Sequence, residues 1–398
     1  MPLSRVDPGV VVATWTFPLL SETFVLDHVL GLAERGRRVS VLCEHPGPVA
    51  GLHDELGPLL RRLPRAVWRP GSRWLRLSIR LRGLGDAARE DALLEAGLRR
   101  LWRPGDLVHA HFGPAGERLA RLRRQGRLPA PLLVSLHGFD VTREPPTEAG
   151  AYRHLFEGAD RLIATTAFIA QRALALGCPP AKLCRLPLGI RLDAYPFRRP
   201  LVGEGRPLQL LSIARLVEKK GIGDALEAVA RLRAAGVDCR YQVIGEGPLR
   251  PLLEQQVGRL GLQQSVSFLG ARTRQQVAAV LAEADLFLFP SVRAADGDQE
   301  GQGMALIEAQ ACGLLVVATR SGGIPESLQE GVNGLLVDER APEQIAAAVQ
   351  ALLARRAEWP ALAEAGRAWV ERQFCHRQHL DQLEALYAEL AAARGVAP

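Results

Sequence analysis

LQLLSIARLVEKKGIGDALEAVARLRAAGVDCRYQVI, Leu208 to Ile244, holds two short apolar runs separated by a polar loop and a helical pattern. Leu208–Ala214 and Arg240–Ile244 are predicted strands, and Asp224–Ala234 is a predicted helix. Apolar runs of this length, alternating with a 3.6-residue period, mark a parallel sheet covered on both faces. The rhythm continues downstream. Strands are expected at Val266–Leu269, Leu286–Phe289, Val316–Thr319 and Leu335–Val337. Helices are expected at Leu249–Leu260, Gln275–Ala282, Met304–Ala311 and Pro342–Ala354, and the stretch Glu358 to Ala393 also has a helical pattern.

The same alternation runs upstream. Predicted strands are Val10–Thr14, Val39–Glu44, Leu107–Ala110, Leu132–Leu136, Leu162–Thr165 and Cys184–Leu186. Helical periodicity covers Glu22–Arg35 and Phe168–Leu176. Between the two series lies DAYPFRRPLVGEGRP, Asp193 to Pro207, whose three prolines and two glycines read as a linker. The fold class is therefore α/β, with two Rossmann-like, doubly wound domains facing across a cleft. The expected boundaries are 1–195, 196–370 and a C-terminal helix, 371–398, returning toward the first domain. A length of 398 residues suits two domains better than one. In such sheets, ligands bind at the carboxyl ends of the strands.

Composition narrows the function classes. Apolar residues make up 47% of the chain and charged residues 23%, which is globular rather than disordered. Aromatic residues are only 5%, little material for stacking single-stranded nucleic acid. The formal charge is +7, almost all of it arginine; the lysines are Lys182, Lys219 and Lys220. Six cysteines include no CxxC pair, so a reducing compartment is expected, with no disulfide framework or structural zinc. Pro8 and Gly9 interrupt any secretory-signal pattern, and no stretch approaches the ~20 apolar residues of a spanning helix. A cytoplasmic setting follows as an expectation.

Three constellations carry chemistry. EGQGMALIEA, Glu300 to Ala309, places two carboxylates across a glycine-rich turn that opens a helix. Free backbone N–H groups and the helix dipole suit phosphate there. Gly301 and Gly303 permit close backbone approach. Each carboxylate accepts two sugar hydroxyls. The alternative is a surface helix with two solvated glutamates. SIARLVEKKG, Ser212 to Gly221, puts Arg215 and Lys220 in the loop after a strand. An arginine fork and a lysine point charge there suit a diphosphate, against the alternative of a solvated basic loop. SLHGFD, Ser135 to Asp140, places His137 and Asp140 past a strand end where an acceptor is met, with Asp140 also positioned to orient the ring, against the alternative of a structural histidine. HAHFG, one strand earlier, offers His111 as a weaker acceptor-side candidate and His109 as a structural residue.

The first βα loop, TWTFPLLSETF, has no GxGxxG. Ser21 is expected to cap the next helix and Glu22 to complement its dipole. SGGIPE, Ser321 to Glu326, is a turn or a lining of the donor pocket. Arg61 to Arg82 carries eight arginines, Trp68 and Trp74, and no acidic residue. A solvated insert and a surface for anionic lipid both fit it. No nucleic-acid reading motif accompanies the charge.

Taken together, these residues resemble the family 4 retaining glycosyltransferases of the GT-B fold. The resemblance is densest from Leu208 to Asp338, where the two glutamates, the Arg–Lys loop, GEGP (Gly245–Pro248) and GGIPE stand in the family's order. FPLLSETF and DGDQEGQGM further resemble the exopolysaccharide and colanic-acid branch. SETF stands where many members carry a GG pair. The resemblance implies transfer of a hexose from a nucleotide-diphosphate sugar to a glycan or lipid-linked acceptor, at a cytoplasmic or inner-membrane surface. It implies that Arg215 and Lys220 neutralise the diphosphate and that Glu308 holds the ribose. Glu300, with Gly303 and Met304, would hold the donor sugar, and His137 would contact the transferred sugar. It also implies front-face attack without a covalent sugar intermediate, and no cofactor or divalent metal. Asp296 and Asp298 have Asp-x-Asp spacing but read as loop. The rival readings are a sugar-nucleotide epimerase of the same fold and a non-catalytic basic scaffold.

Overall fold

The computed structural model describes residues 8–47, 60, 62–68, 86–143, 150–200 and 205–393. Seven strands form the first sheet: β1 (Val10–Phe17), β2 (Val39–Pro46), β3 (Arg65–Val67), β4 (Leu107–His111), β5 (Leu132–Leu136), β6 (Arg161–Ala164) and β7 (Leu183–Arg185). Their order is β3-β2-β1-β4-β5-β6-β7, and every pairing is parallel. Six strands form the second: β8 (Leu208–Ile213), β9 (Cys239–Ile244), β10 (Val266–Gly270), β11 (Leu286–Phe289), β12 (Leu315–Thr319) and β13 (Gly334–Val337). Their order is β10-β9-β8-β11-β12-β13, again all parallel. In both sheets the winding reverses, between β1 and β4 and between β8 and β11. A crevice opens at such a reversal, outside the carboxyl ends of the strands.

The predicted strands are found within two or three residues at each end. The sheet also contains β3, which the sequence reading did not predict. Its register is Val41↔Arg65, Leu42↔Ala66 and Cys43↔Val67. Only Ala66 of the three is buried, so no apolar run announces this edge strand. Trp68, directly after it, is 2% exposed and packed in the core with Leu94 and Leu98. It is therefore not available to a lipid headgroup layer, and residues 69–82 of the arginine-rich segment lie outside the described residues. Two unpredicted helices, Asp86–Leu101 and Gly113–Arg124, cover the first sheet. Gly113, Pro114 and Gly116 at the start of the second disguise its period. All six cysteines are free. Among the described residues, no helix is long and apolar enough to cross a membrane.

Helix α1 (Thr23–Glu34) buries Val25, Leu26, Val29, Leu30 and Leu32 against the first sheet. Its N-cap is Glu22, without a side-chain cap bond, while Ser21 sits in a single 3₁₀ turn before it. The expected Ser21 cap is thus absent. At the far end of the chain, α2 (Trp359–Gln373) packs beside the helix Met304–Cys312. The chain then crosses to the first domain. Ile190 N–H donates to Phe374 O (2.8 Å), and His376 N–H donates to Ile190 O (3.1 Å). The last helix, α3 (His376–Ala392), adds Leu380, Leu383, Tyr387 and Leu390 to the core around α1. Each such apolar side chain contributes about 1.5–3 kcal/mol.

Backbone and side-chain bonds also join the facing loops. Thr166 Oγ1 donates to Gly301 O (2.9 Å). Gln302 exchanges two bonds of 2.9 Å with the Leu188 backbone. The Glu326 carboxylate accepts from the N–H groups of Ala167 (2.7 Å) and Phe168 (3.0 Å). Gly301 lies so close to the first domain that a Cβ there would fall 1.6 Å from His137 O. Gly301→Ala should hold the domains apart: small-angle scattering should show a larger radius of gyration with thermal stability retained. Transfer activity should fall by about a hundredfold, as displacement of a reacting group predicts.

Candidate functional site

The reversal of the second sheet places two loops side by side. The first follows β8. Arg215 is exposed at the strand's end, and the single 3₁₀ turn Glu218–Lys220 carries both lysines. Gly221 closes the turn at φ +59°, and a Cβ there would lie 1.8 Å from Pro290 O. Glycine therefore lets the lysine loop pack onto the loop that follows β11. Lys219 Nζ meets Asp298 Oδ1 at 3.0 Å, and Lys220 Nζ meets Glu300 Oε1 at 2.5 Å. Lys220 Nζ also lies 5.2 Å from the centroid of the Phe289 ring.

Glu300 is buried, 6% exposed, and Lys220 is partly buried. Burial pushes the Glu300 carboxyl up, but Lys220, Lys219 and Arg215 together outweigh it and hold the group below the usual range. Burial lowers the Lys220 ammonium, and Glu300 opposes that. The arrangement is a charged cluster held in place before any ligand arrives. Glu300 is followed by a glycine turn, then by the helix Met304–Cys312 with Gly303 as its N-cap. The glycines of SGGIPE lie against this turn: Cβ atoms at Gly322 and Gly323 would fall 2.2 Å from Glu300 O and 2.0 Å from Gly301 O. Gly323 N–H donates to Glu300 O at 2.9 Å.

Glu308, one turn into that helix, is 8% exposed and hydrogen-bonds Tyr195 of the linker. Burial pushes its carboxyl up to about 7, partly countered by Tyr195 and Arg274. Arg274 Nη2 in turn donates to Asp27 Oδ2 of α1 at 2.7 Å, a buried ion pair between the domains. Arg215, Lys220, Glu300, Gly303, Met304 and Glu308 thus share one region, spread over two loops and a helix start.

The first domain presents His137 from the end of β5. Its backbone carbonyl abuts Gly301, and its ring packs on Phe24 (4.6 Å between centroids) and Phe112 (4.8 Å). Asp140 does not orient this ring. Its carboxylate instead accepts from the backbone N–H groups of His137 (3.0 Å), Gly138 (2.7 Å) and Gly113 (3.1 Å). It is 1% exposed, so it braces two loops rather than meeting an acceptor. The ring is held by His111, whose Nδ1 lies 2.9 Å from His137 Nε2. His111 is itself 2% exposed. His109 bonds Ser135 and Tyr387 inside the core. Asp296 and Asp298 sit in a loop, paired with Arg143 (2.7 Å) and Lys219.

Family models match both halves. The description "Glycosyl transferase 4-like domain" covers residues 21–189, and "Glycosyl transferases group 1" covers 197–369. The putative colanic acid biosynthesis glycosyltransferase WcaL of Salmonella typhimurium is 35% identical over 83% of this chain and 87% of its own. The chain belongs to the group 1 glycosyltransferases. The amylovoran biosynthesis glycosyltransferase AmsK of Erwinia amylovora is 31% identical over 94% of this chain and 98% of its own. Among solved structures, Anabaena HepE with UDP and glucose aligns with a TM-score of 0.76 at 19% identity, over 96% of this chain and all of that one. The lipopolysaccharide-biosynthesis glycosyltransferase WaaG aligns at 0.67 and 19% identity, over 96% and 99%. At that identity the likeness concerns the GT-B fold. The epimerase and scaffold readings gain no support from these relatives.

One group in this glycosyltransferase escaped the sequence reading. Glu22, expected to complement the helix dipole, carries a buried carboxyl within electrostatic reach of Arg215 of the second domain. Burial pushes it up to about 7, with Arg215 pulling it down, and its Oε2 is buried without a hydrogen-bond partner. The only sequence signal was its place in the first βα loop, beside the winding reversal.

The raised carboxyl of Glu308 has a consequence for stability. Its folded-state value of about 7 exceeds the ordinary 4.5, so the folded protein loses stability as pH rises through that window. Glu308→Gln removes this loss. At pH 8, without donor, the variant should be more stable than the parent by roughly 3 kcal/mol, and the gain should vanish below pH 4.5. Denaturant unfolding at the two pH values measures it.

Proposed function

We propose that this glycosyltransferase moves a hexose, with retention of anomeric configuration, from a nucleotide-diphosphate sugar to a glycan or lipid-linked acceptor. The setting is exopolysaccharide or cell-surface polysaccharide assembly at the cytoplasmic face of the membrane. The observation that carries the reading is the pairing of Lys220 with the buried Glu300 at the winding reversal, 2.5 Å between charges, with Arg215 beside it. An incoming diphosphate competes with Glu300 for Lys220 and Arg215. The carboxylate is then released toward the hydroxyls of the donor sugar, with the Gly303–Met304 backbone beside it. Glu308 offers its oxygens to the ribose, where a raised carboxyl allows it to donate as well as accept. The names of WcaL and AmsK support the polysaccharide setting. The HepE complex with UDP and glucose supports the donor class.

In the proposed reaction, the bond from the anomeric carbon to the diphosphate oxygen breaks. The acceptor oxygen bonds that carbon from the same face, and its proton passes to the departing phosphate oxygen. Arg215 and Lys220 stabilise the charge that grows on the leaving group, so the step needs no divalent metal. The arginine-rich segment 61–82, of which only residues 62–68 are described, supports association with anionic lipid by its charge alone.

A screen of UDP-, GDP- and ADP-sugars for hydrolysis and thermal protection should return one donor class, since a bound ligand raises apparent stability. With that donor, Lys220→Ala should cut turnover by about 10²–10³-fold, with full activity of the parent in chelator. NMR of the product should show the donor's anomeric configuration. Strict metal dependence or an inverted product would overturn the mechanism.

A further inference from the structure

Four buried side chains connect His137 to Ser135, on the strand that His137 follows. His137 Nε2 lies 2.9 Å from His111 Nδ1, and His111 Nε2 lies 2.9 Å from His28 Nδ1. His28 Nε2 lies 2.8 Å from Tyr387 Oη, which lies 2.7 Å from His109 Nδ1. His109 Nε2 lies 2.8 Å from Ser135 Oγ. The chain draws on β4, β5, α1 and the C-terminal helix α3. Exposure along it runs from 0% at Tyr387 to 9% at His137. Every ring nitrogen is engaged except one: His137 Nδ1 is buried with no partner.

A neutral imidazole has one N–H and one lone pair, so each ring passes the direction of its neighbour along. Burial, the largest cause, keeps all four rings neutral. It holds His28, His109 and His111 well below the usual histidine range and His137 at about 3, and the neighbouring His379 adds to the effect. The chain then has two possible polarities. If protons point from His137 toward Ser135, the serine hydroxyl is left with a hydrogen and no acceptor among the described residues, and His137 Nδ1 is left as a bare lone pair. If they point the other way, Ser135 donates to His109, His109 to Tyr387, Tyr387 to His28, His28 to His111 and His111 to His137 Nε2. A single unmet group remains, the His137 Nδ1–H. Each unmet buried polar group is costly, so the polarity that leaves one rather than two is favoured.

We propose that Ser135, His109, Tyr387, His28 and His111 form a one-way hydrogen-bond relay that sets the tautomer of His137, presenting its Nδ1–H as a donor at the candidate sugar site. Tyr387 is the joint of the relay and a positioning residue, although it sits 250 positions from His137 on the last helix. The role of the presented N–H rests on the donor-site reading above; the tautomer itself does not. The relay also accounts for the proximity of His28, His109 and His111, which have ligand nitrogens within 4.8 Å of one another. Their nitrogens are committed to hydrogen bonds rather than to an ion.

Nitrogen-15 NMR of histidine-labelled, ligand-free protein at neutral pH reads each tautomer directly. His28, His109, His111 and His137 should all be Nδ1–H, the form less favoured by free imidazole in water. Tyr387→Phe keeps the ring but cuts the relay, so neither polarity is preferred and the Nδ1–H fraction at His137 should fall toward about half. An Nε2–H form at any of the four in the parent overturns the proposal. So does stoichiometric zinc in the purified protein, or an unchanged His137 tautomer in a folded Tyr387→Phe. Because no donor is present, failure of the sugar-site reading leaves this result standing and is found separately by the donor screen.

Discussion

Lys220 and Glu300 meet at 2.5 Å where the winding of the second sheet reverses, and the cleft is organised around that contact. Removing both charges from water is costly, and mutual attraction in the interior repays it only in part. Such a pair is weak as a device for stability. The proposed exchange of its cation to an incoming diphosphate gives the pair a role that stability does not. The protein holds Glu300 ionised with three cations, and holds Lys220 against an aromatic face and a glycine-lined loop. Electrostatic groups fixed in this way need little reorganisation when charge develops on a leaving group.

The same glycine turn that follows Glu300 also forms the seam between the domains. Gly301 touches the His137 carbonyl, its own carbonyl accepts from Thr166, and Gly323 packs onto it from behind. Residues proposed to hold the donor and the residue proposed to meet the transferred sugar are therefore in backbone contact across the cleft. The Asp27–Arg274 pair adds a second tie, from α1 to the neighbourhood of Glu308. The two walls are thus joined directly at the proposed site, which suits the proposed reaction, whose catalysis is mainly positioning.

The last helix has a part in this as well. It leaves the second domain after Phe374 and supplies Leu380, Leu383 and Tyr387 to the core of the first. The packing explains why the helix is retained there; the hydroxyl of Tyr387, bonded to His28 and His109, is what packing alone does not require.

Much of this was legible in the residues themselves. The alternation of short apolar runs and helical periods determined two parallel, doubly wound domains, because each pattern can bury its apolar face in only one way. The nearness of Arg215, Lys220, Glu300 and Glu308 to one another could be expected because a strand end and a helix start are visible in sequence. Other features were not legible. The edge strand Arg65–Val67 has too few buried residues to show a period. Asp140 binds backbone rather than a ring, Glu22 interacts with Arg215 of the other domain, and Tyr387 reaches a histidine 278 positions away. Periodicity reports which face of an element is buried, a local property. Where a polar side chain ends, and which protonation state it holds, depends on neighbours brought together only by the packed domains.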